Sequence, residues 1–259
     1  MKIEAIHSRN GRTYWVEQGD TMYSERLRHG QYQKRNWDFV QTLLCHARRC
    51  IDVGSNNACN AIHYAERFEW VECFEPTQLA QELWRRTVKD NDVKNCTLHT
   101  EAVGEYTGTT EILIHERNGG HNHLTHWDKN SRSRPERSSK QTESVAVATL
   151  DSKNFTDVDF VKIDVEGYEL FVLKGADATI QQNRPVVQTE IVAGQCRKFA
   201  YTPDDILHWF RTRDYRCVSK TRGWIDGAWS KARGDMDLFF VPRERDVRLL
   251  PRLELFEET

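Results

Sequence analysis

Carboxylate side chains follow two apolar segments of the sequence, at positions where they could perform chemistry. Asp164 and Glu166 come directly after the run "FVKI", and Glu190 ends the run "PVVQTE". In an extended chain Asp164 and Glu166 point the same way, so together they could remove a proton or orient a hydroxyl group. The alternative is structural, with Glu166 capping a helix that begins at Tyr168 and Asp164 ordering the loop. Magnesium or calcium could bind this trio, but a metal ion is not favoured, because carboxylates also serve as hydrogen-bond acceptors for uncharged hydroxyl groups.

A second group of residues interrupts the apolar run in "RRCIDVGSNNACN". Gly54 permits a sharp turn and a close approach of the backbone to a ligand. A helix starting near Ala58 would direct unpaired N–H groups at the same place, forming a cradle for an anion. About 20 residues later, Glu75 stands where a carboxylate accepts hydrogen bonds from a ribose. Gly54 and Glu75 together indicate a ligand that contains a nucleoside.

The glycine pattern narrows the choice of that ligand. "GSNNACN" lacks the second and third glycines of the dinucleotide-binding pattern, so its backbone would approach a pyrophosphate poorly. NAD and FAD are therefore disfavoured. A ligand that presents one carboxylate and one ribose fits better, and S-adenosylmethionine is such a ligand.

Histidines in the segment "HERNGGHNHLTHWD" supply further candidate bases, since an imidazole titrates near neutral pH. His121 is the candidate for a catalytic role, and a set of solvated loop histidines is the alternative. His121 and His123 do not indicate zinc, because no cysteine lies near them and no helical pair of ligands is evident.

An alternation of predicted strands and helices positions these residues. The strand "CIDVG" precedes the helix "ACNAIHYAERF", the strand "WVECFE" precedes a helix capped by Thr77, and "CTLHTEAVG" is the third strand. Later, "DFVKIDVEG" leads into a helix from Tyr168 to Gln182, and "PVVQTE" is followed by a helix that Pro203 opens and the strand "YRCVSK". The last run, "DMDLFFVP", follows a short connection and should be antiparallel. The pattern predicts an α/β fold with a seven-stranded, mostly parallel sheet.

Two additions to this sheet are expected. Residues 1–45 form an N-terminal preface packed on the core, consisting of a hairpin that turns at Asn10-Gly11 and a helix. A β excursion with a polar loop, residues 106–151, is inserted after the third strand. The core domain covers residues 46–242, and the tail, residues 243–259, has no assignment.

The composition limits the class of protein. Charged residues make up 29% and hydrophobic residues 38% of the chain, and no run approaches the ~18 apolar residues that a membrane helix requires. The N-terminus lacks the pattern of a secretion signal, and seven scattered cysteines without a C-x-x-C pair indicate free thiols. A cytoplasmic protein without a membrane partner is expected. The net charge of −2 argues against a wholly basic nucleic-acid binder.

Several motifs together resemble those of one enzyme family. "IDVGSNN", "VECFEP", "VATLD", "FVKIDVEGYELFVLKGA" and "PVVQTE" occur in the order and approximate spacing of the FkbM family of S-adenosylmethionine-dependent methyltransferases. The most specific element runs from Lys162 to Ala176. The resemblance implies a Rossmann-like class I methyltransferase fold and methyl transfer to a hydroxyl oxygen. The sequence departs from the family at Asn57-Ala58, where an apolar residue and then a glycine are usual, and at Asp214, where a glycine is common.

The resemblance also assigns roles to residues. Those it assigns to the cofactor, S-adenosylmethionine, are Asp52, Gly54, Ser55, Asn56, Glu75, Pro76, Glu101 and Asp164. Among them Glu75 would meet the ribose and Glu101 the adenine. The catalytic candidates are Asp164, Glu166, His121 and Glu190.

The expected acceptor is a hydroxyl group of a carbohydrate or a similar small molecule, and two alternatives stand beside it. One is an RNA ribose methyltransferase whose phosphate contacts would come from Arg132, Arg134, Arg137 and Lys140. The other is a catalytically idle binding module, which the altered glycine loop suggests. Lys162 and Asp164 resemble part of the acceptor-site set of RNA ribose methyltransferases, but the strand period places Lys162 deeper in the sheet.

Overall fold

The computed structural model of the protein describes residues 2–19, 21–114, 123–124, 141–232 and 236–245. The strands in these ranges are β1 (Ile3–His7), β2 (Thr13–Glu17), β3 (Arg49–Val53), β4 (Trp70–Phe74), β5 (Cys96–His99), β6 (Ala102–Val103), β7 (Gly108–Ile114), β8 (His123–Leu124), β9 (Gln141–Ala148), β10 (Val158–Ile163), β11 (Val186–Glu190), β12 (Tyr215–Ser219), β13 (Gly223–Ile225) and β14 (Asp237–Pro242). The α-helices are α1 (Thr21–Arg28), α2 (Lys34–Leu43), α3 (Cys59–Ala65), α4 (Gln78–Asp90), α5 (Glu169–Lys174), α6 (Asp177–Asn183), α7 (Ala193–Lys198) and α8 (Pro203–Arg211).

The central sheet in the described ranges has eight strands in the order β13–β12–β14–β11–β10–β3–β4–β5. Strands β11, β10, β3, β4 and β5 run parallel, whereas β14 is antiparallel to both of its neighbours, β11 and β12. The predicted α/β fold with a reversed last strand is therefore confirmed. The eighth strand, β13, is an addition to the seven predicted, and it pairs antiparallel with β12 across a short turn that ends at Gly223, with φ +66°.

The central strands are buried on both faces, as parallel strands covered by helices must be. Every residue of β10 is buried. Its alternate side chains enter two different cores, so that Phe160 packs on the side of α2 and α3 and Val161 on the side of α5 and α8. Each fully buried Phe or Val stabilises the fold by about 1.5–3 kcal/mol. The two cores together hold the central strands in place, and with them the polar side chains at the strand ends.

The N-terminal preface packs against the central sheet and its helices. Strands β1 and β2 form the predicted hairpin, with Ile3 opposite Glu17 and His7 opposite Thr13. The amide of Trp15 donates to Thr87 Oγ1 of α4 at 3.0 Å. Helix α2 lies on the central sheet, where the ring of Phe39 packs on that of Phe239 with centroids 4.8 Å apart. Helix α2 agrees with the helix predicted from the sequence, whereas α1 is an addition to it.

The β excursion forms a second sheet in the order β6–β9–β7–β8. The predicted β excursion is present as the antiparallel pair β7–β9. The single third strand predicted for "CTLHTEAVG" is wrong, because β5 belongs to the central sheet while β6 pairs in parallel with β9. Most of the predicted polar loop, including His121 and the four basic residues of the RNA hypothesis, lies outside the described residues.

The helix predicted from Tyr168 to Gln182 is divided into α5 and α6 at Gly175-Ala176. A Cβ on Gly175 would be 1.9 Å from the carbonyl oxygen of Gly104. The end of α5 therefore contacts the backbone after β6 at a distance that only glycine, which has no Cβ, permits. None of the helices in the described ranges combines the length and the apolar character needed to cross a membrane.

Candidate active site

A cavity of about 410 Å³ opens at the carboxyl ends of β3, β4, β10 and β11. The ends of parallel strands are the usual ligand-binding edge of such a sheet. The second sheet supplies one wall through Ile112, and the preface supplies another through Arg26, Tyr32 and Gln33. The sequence analysis missed these four residues, because they come from segments far away in the chain.

The turn after β3 is hydrogen-bonded to the end of β4. Gly54 has φ +84°, and the N–H groups of Gly54 and Ser55 both donate to the carbonyl of Phe74 at 3.0 Å. The N–H groups of Asn56 and Ala58 are also bonded within the protein, to Glu75 Oε2 and to the carbonyl of Ser55. These four N–H groups therefore hold the turn in shape. Of the helix start that was predicted to offer unpaired donors, the N–H of Ala58 is bonded within the protein, and the N–H groups that follow it stay a prediction.

The departure from the family at Asn57-Ala58 has a structural account. The side-chain amide of Asn57 donates to the carbonyl of Trp15 at 3.1 Å, which ties the turn to the preface hairpin. Ala58 has φ +67°, in the left-handed region that glycine adopts without strain. The backbone thus keeps the conformation that a glycine would allow, although an alanine is present.

Glu75 lies against this turn and is buried, with 7% of its surface exposed. Its Oε1 accepts from the Thr77 amide at 2.9 Å and the Thr77 hydroxyl at 2.6 Å, and its Oε2 accepts from the Asn56 amide at 3.0 Å. Burial raises the pKa of Glu75, while these donors oppose the increase. The prediction that Thr77 caps α4 is wrong for its side chain, because the hydroxyl bonds to Glu75 and makes no cap hydrogen bond.

Apolar side chains line the cavity together with Glu75. Phe74, Ala102, Val103 and Ile112 line it together with Pro76. Glu101 also lines the cavity, and its carboxylate is paired with Lys153. One oxygen of the Glu101 carboxylate is therefore engaged by Lys153. The assignment of Glu101 to the adenine stays a prediction.

The opposite end of the cavity carries the three predicted carboxylates. Asp164, Glu166 and Glu190 each offer an oxygen atom, and these atoms lie within 4.8 Å of one another. Burial, followed by the charge of Asp164, raises the pKa of Glu166 to about 8 and that of Glu190 to about 9. The Gln195 side-chain amide donates to Glu166. The trio has ligands suited to a divalent ion, but the ammonium of Lys162 already supplies a cation to it.

Asp52 is the predicted cofactor residue that the structure places elsewhere. It does not line the cavity and is completely buried on β3, with Oδ1 3.6 Å from Lys162 Nζ. The strand period of two explains this, because Asp52 points to the same face as Gly54 but one row further into the sheet. Burial raises the pKa of Asp52, and the charge of Lys162 opposes the increase.

Glu169 holds the segment that carries the carboxylates, and the sequence analysis missed it. Its Oε1 accepts from the amides of Val165 at 3.2 Å and Gly167 at 3.0 Å, and its Oε2 accepts from the Tyr201 hydroxyl at 3.0 Å. These bonds stabilise a turn in which Glu166 has φ +57°. The alternative that Glu166 caps the helix is wrong, because the cap residue of α5 is Tyr168. Glu169, in the first turn of α5, bonds to amides that precede the helix.

Residues 52–217, well over half of the chain, match the methyltransferase FkbM domain. This chain belongs to the FkbM methyltransferase family. The predictions of the family, of the fold class and of an S-adenosylmethionine-dependent methyltransferase are confirmed by this match, whereas the acceptor and the roles of single residues stay predictions.

Solved structures that resemble this FkbM methyltransferase have low sequence identity to it. The methyltransferase FkbM from Methylobacillus flagellatus KT is 20% identical with a TM-score of 0.47, and the match covers 75% of this chain but only 43% of that one. SMU.1697c from Streptococcus mutans, in complex with SAH, is 10% identical with a TM-score of 0.45, over 80% of this chain and 93% of that one. An rRNA methylase from Streptococcus thermophilus is 10% identical, also with a TM-score of 0.45, over 79% and 91%. No curated protein sequence matches this chain.

The cavity of this FkbM methyltransferase fits S-adenosylmethionine. Its apolar end, with Phe74 and Ile112, suits the adenine ring, and the buried Glu75 carboxylate suits ribose hydroxyls. The partly exposed carboxylate of Asp164 suits the positive charge of a sulfonium group, since opposite charges attract strongly where water is scarce.

Proposed function

We propose that this protein transfers a methyl group from S-adenosylmethionine to a hydroxyl group of a carbohydrate or a similar hydroxylated small molecule. The observation that carries the proposal is the cluster of Asp164, Glu166 and Glu190 beside the turn at Gly54. A hydroxyl acceptor needs a group that takes its proton, and carboxyl groups held at one end of the donor cavity meet this need.

Bound S-adenosylmethionine supplies an electrophilic methyl group, so the protein must align the acceptor oxygen and take up its proton. Asp164 Oδ2 accepts a hydrogen bond from Lys162 Nζ at 3.1 Å, which leaves Oδ1 to accept the hydroxyl proton. Glu166 and Glu190, with pKa values of about 8 and about 9, are mostly protonated at neutral pH and would donate hydrogen bonds to other acceptor oxygens. Proton transfer to one general base typically increases a rate by ~10²–10⁴-fold. Alignment of the acceptor oxygen with the methyl group increases the rate further.

The lining of the carboxylate end supports a polyhydroxylated acceptor. Amide side chains of Gln33 and Gln195 line it together with the carboxyl groups, and Met236 borders it with 57% of its surface exposed. Amides and carboxyl groups can each donate or accept a hydrogen bond, which suits hydroxyl groups that do both. Val192 and Met236 add apolar surface for the carbon skeleton of the acceptor.

Titration calorimetry with S-adenosylmethionine and S-adenosylhomocysteine tests the donor site first. We expect both to bind, and absence of binding at high micromolar concentration would overturn the proposal. Transfer from methyl-labelled donor is then measured on a panel of sugars and glycosides and on structured RNA, in parent and Asp164→Asn proteins. Asp159→Asn, at the other end of β10, serves as the matched control. Label found in RNA alone, with affinity that falls steeply as salt is added, would replace the sugar acceptor by the RNA alternative.

A further inference from the structure

A row of polar side chains lies buried beneath the carboxylates of the cavity. Lys162 on β10 is the register partner of Asp52 on β3 and of Gln188 on β11, so the three side chains share one face of the sheet. Each precedes by two residues a residue of the cavity rim, namely Gly54, Asp164 or Glu190. The buried row therefore lies directly below the rim.

Lys162 is the cation of this row and connects it to the rim. Its side chain is 2% exposed, with Nζ 3.1 Å from Asp164 Oδ2 and 3.6 Å from Asp52 Oδ1. Burial alone would lower the pKa of Lys162, but the charges of Asp164 and Asp52 outweigh it and hold the pKa above its ordinary value. Lys162 is therefore a charged donor at every pH at which the protein would work.

Stability does not account for such an arrangement. Exchange of a buried ion pair for well-packed apolar side chains is often neutral or stabilising. Lys162 and Asp164 both line the cavity, with 2% and 30% of their side chains exposed, whereas Asp52 is completely buried and does not line it. Lys162, paired with Asp52 on its buried side, thus donates one hydrogen bond to Asp164, the carboxylate that the acceptor would meet.

We propose that Lys162 is a positioning residue for methyl transfer. It holds one oxygen of the Asp164 carboxylate, so that the other oxygen stays directed at the acceptor hydroxyl, and Asp52 holds Lys162 in turn. This role rests on the proposed function of Asp164. Loss of the contact would leave the Asp164 carboxylate free to rotate, and a misplacement of about 1 Å at a reacting group can reduce a rate about 10²-fold.

The first test compares variants that keep the fold. Lys162→Met alone leaves Asp52 buried without a cation, so the double variant Lys162→Met/Asp52→Asn is used beside it. We expect the double variant to bind S-adenosylhomocysteine within about threefold of the parent and its kcat to fall about 10²-fold, with KM for the acceptor little changed. Asp159 lies on the same strand as Lys162, and Asp159→Asn weakens its pair with the half-exposed Arg48. This variant should have lower stability, with kcat within about threefold of the parent. A kcat of the double variant within threefold of the parent overturns the proposal.

The second test does not depend on methyl transfer. In protein labelled with ¹⁵N-lysine, a buried ammonium with two carboxylate neighbours should give a slowly exchanging signal at pH 8. We expect this signal to vanish in Lys162→Met and to shift in Asp164→Asn. A signal unaffected by Asp164→Asn overturns the role of Lys162 whatever the activity. If the parent methylates no hydroxylated compound while the signal responds to Asp164→Asn, the proposed function fails and the contact of Lys162 stands.

Discussion

The carbonyl oxygen of Asp164 occupies the space that a side chain on Gly54 would need, since a Cβ built on Gly54 would lie 1.9 Å from it. The two residues end neighbouring strands, and the Asp164 amide donates to the carbonyl of Val53 at 3.1 Å. The turn at Gly54 and the segment that carries Asp164 and Glu166 are therefore in direct backbone contact. A change at Gly54 must displace both.

Replacement of Gly54 by alanine is expected to abolish S-adenosylhomocysteine binding and to lower the free energy of unfolding by more than about 3 kcal/mol. The added methyl group would collide with backbone, which cannot move aside as a flexible side chain can. Urea unfolding followed by tryptophan fluorescence and calorimetry of ligand binding measure the two effects.

Gly194→Ala is the matched control for that variant. Gly194 lies in α7, and the nearest atom to its added Cβ is 3.9 Å away, so stability should stay unchanged or rise by up to about 1 kcal/mol. If Gly54→Ala and Gly194→Ala had the same free energy of unfolding and the same affinity for S-adenosylhomocysteine, the contact between Gly54 and Asp164 would be unimportant.

Glu75→Gln is expected to weaken S-adenosylhomocysteine binding about 10- to 100-fold, since a hydrogen bond to a charged group contributes about 1.5–3 kcal/mol. The carboxylate faces three donors, from Thr77 and Asn56, so an amide would direct a second donor at one of them. Calorimetry measures the affinity, and Glu82→Gln on the exposed face of α4 is the control. If Glu75→Gln bound S-adenosylhomocysteine with an affinity within threefold of the parent, Glu75 would not be a ribose ligand.

The rim of the cavity was predictable from the sequence because the carboxyl ends of parallel strands meet at one edge. Gly54, Glu75, Asp164 and Glu190 are the last or next residues of their strands, so local pattern was sufficient to bring them together. Asp52 is part of the same motif, yet the period of the strand placed it one row deeper, out of the cavity.

Other parts of the site depend on contacts that local pattern does not contain. The role of Glu169 requires Tyr201, which is 32 residues away in the chain. Gln33 reaches the cavity because Asn36 in the preface donates to Asp237 of β14 at 2.7 Å. Such long-range pairs follow from the packing of whole elements, and one sequence provides no signal for them.

The unfolding free energy of the protein without ligand should decrease as the pH rises from about 5 to about 9. Burial and neighbouring charge raise the pKa of Glu166 to about 8 and that of Glu190 to about 9, from an ordinary value of 4.5. A raised folded-state pKa gives stability that is complete below pH 4.5 and is lost as the pH rises through the folded value. Because both groups are partly exposed, we expect the decrease to total about 2 kcal/mol.

Urea unfolding at several pH values measures this slope. Glu166→Gln and Glu190→Gln should each reduce it, because an amide does not titrate. Glu82→Gln, which changes an exposed carboxylate, should leave it as in the parent. A slope that is the same in all four proteins would contradict the crowding of carboxylates at the rim.

The departure from the family at Asp214 gives the last prediction. Asp214 is exposed and has φ +56°, where a residue with a side chain is strained and glycine is not. Asp214→Gly should therefore raise the free energy of unfolding by about 0.5–1 kcal/mol, although glycine also gains freedom in the unfolded chain. Asp214→Ala keeps the strain without the local hydrogen bonding that makes aspartate tolerable in this region, so it should be the least stable of the three. Urea unfolding at pH 7 measures the order, and an alanine variant more stable than the glycine variant would show that backbone strain at Asp214 does not explain the family's glycine.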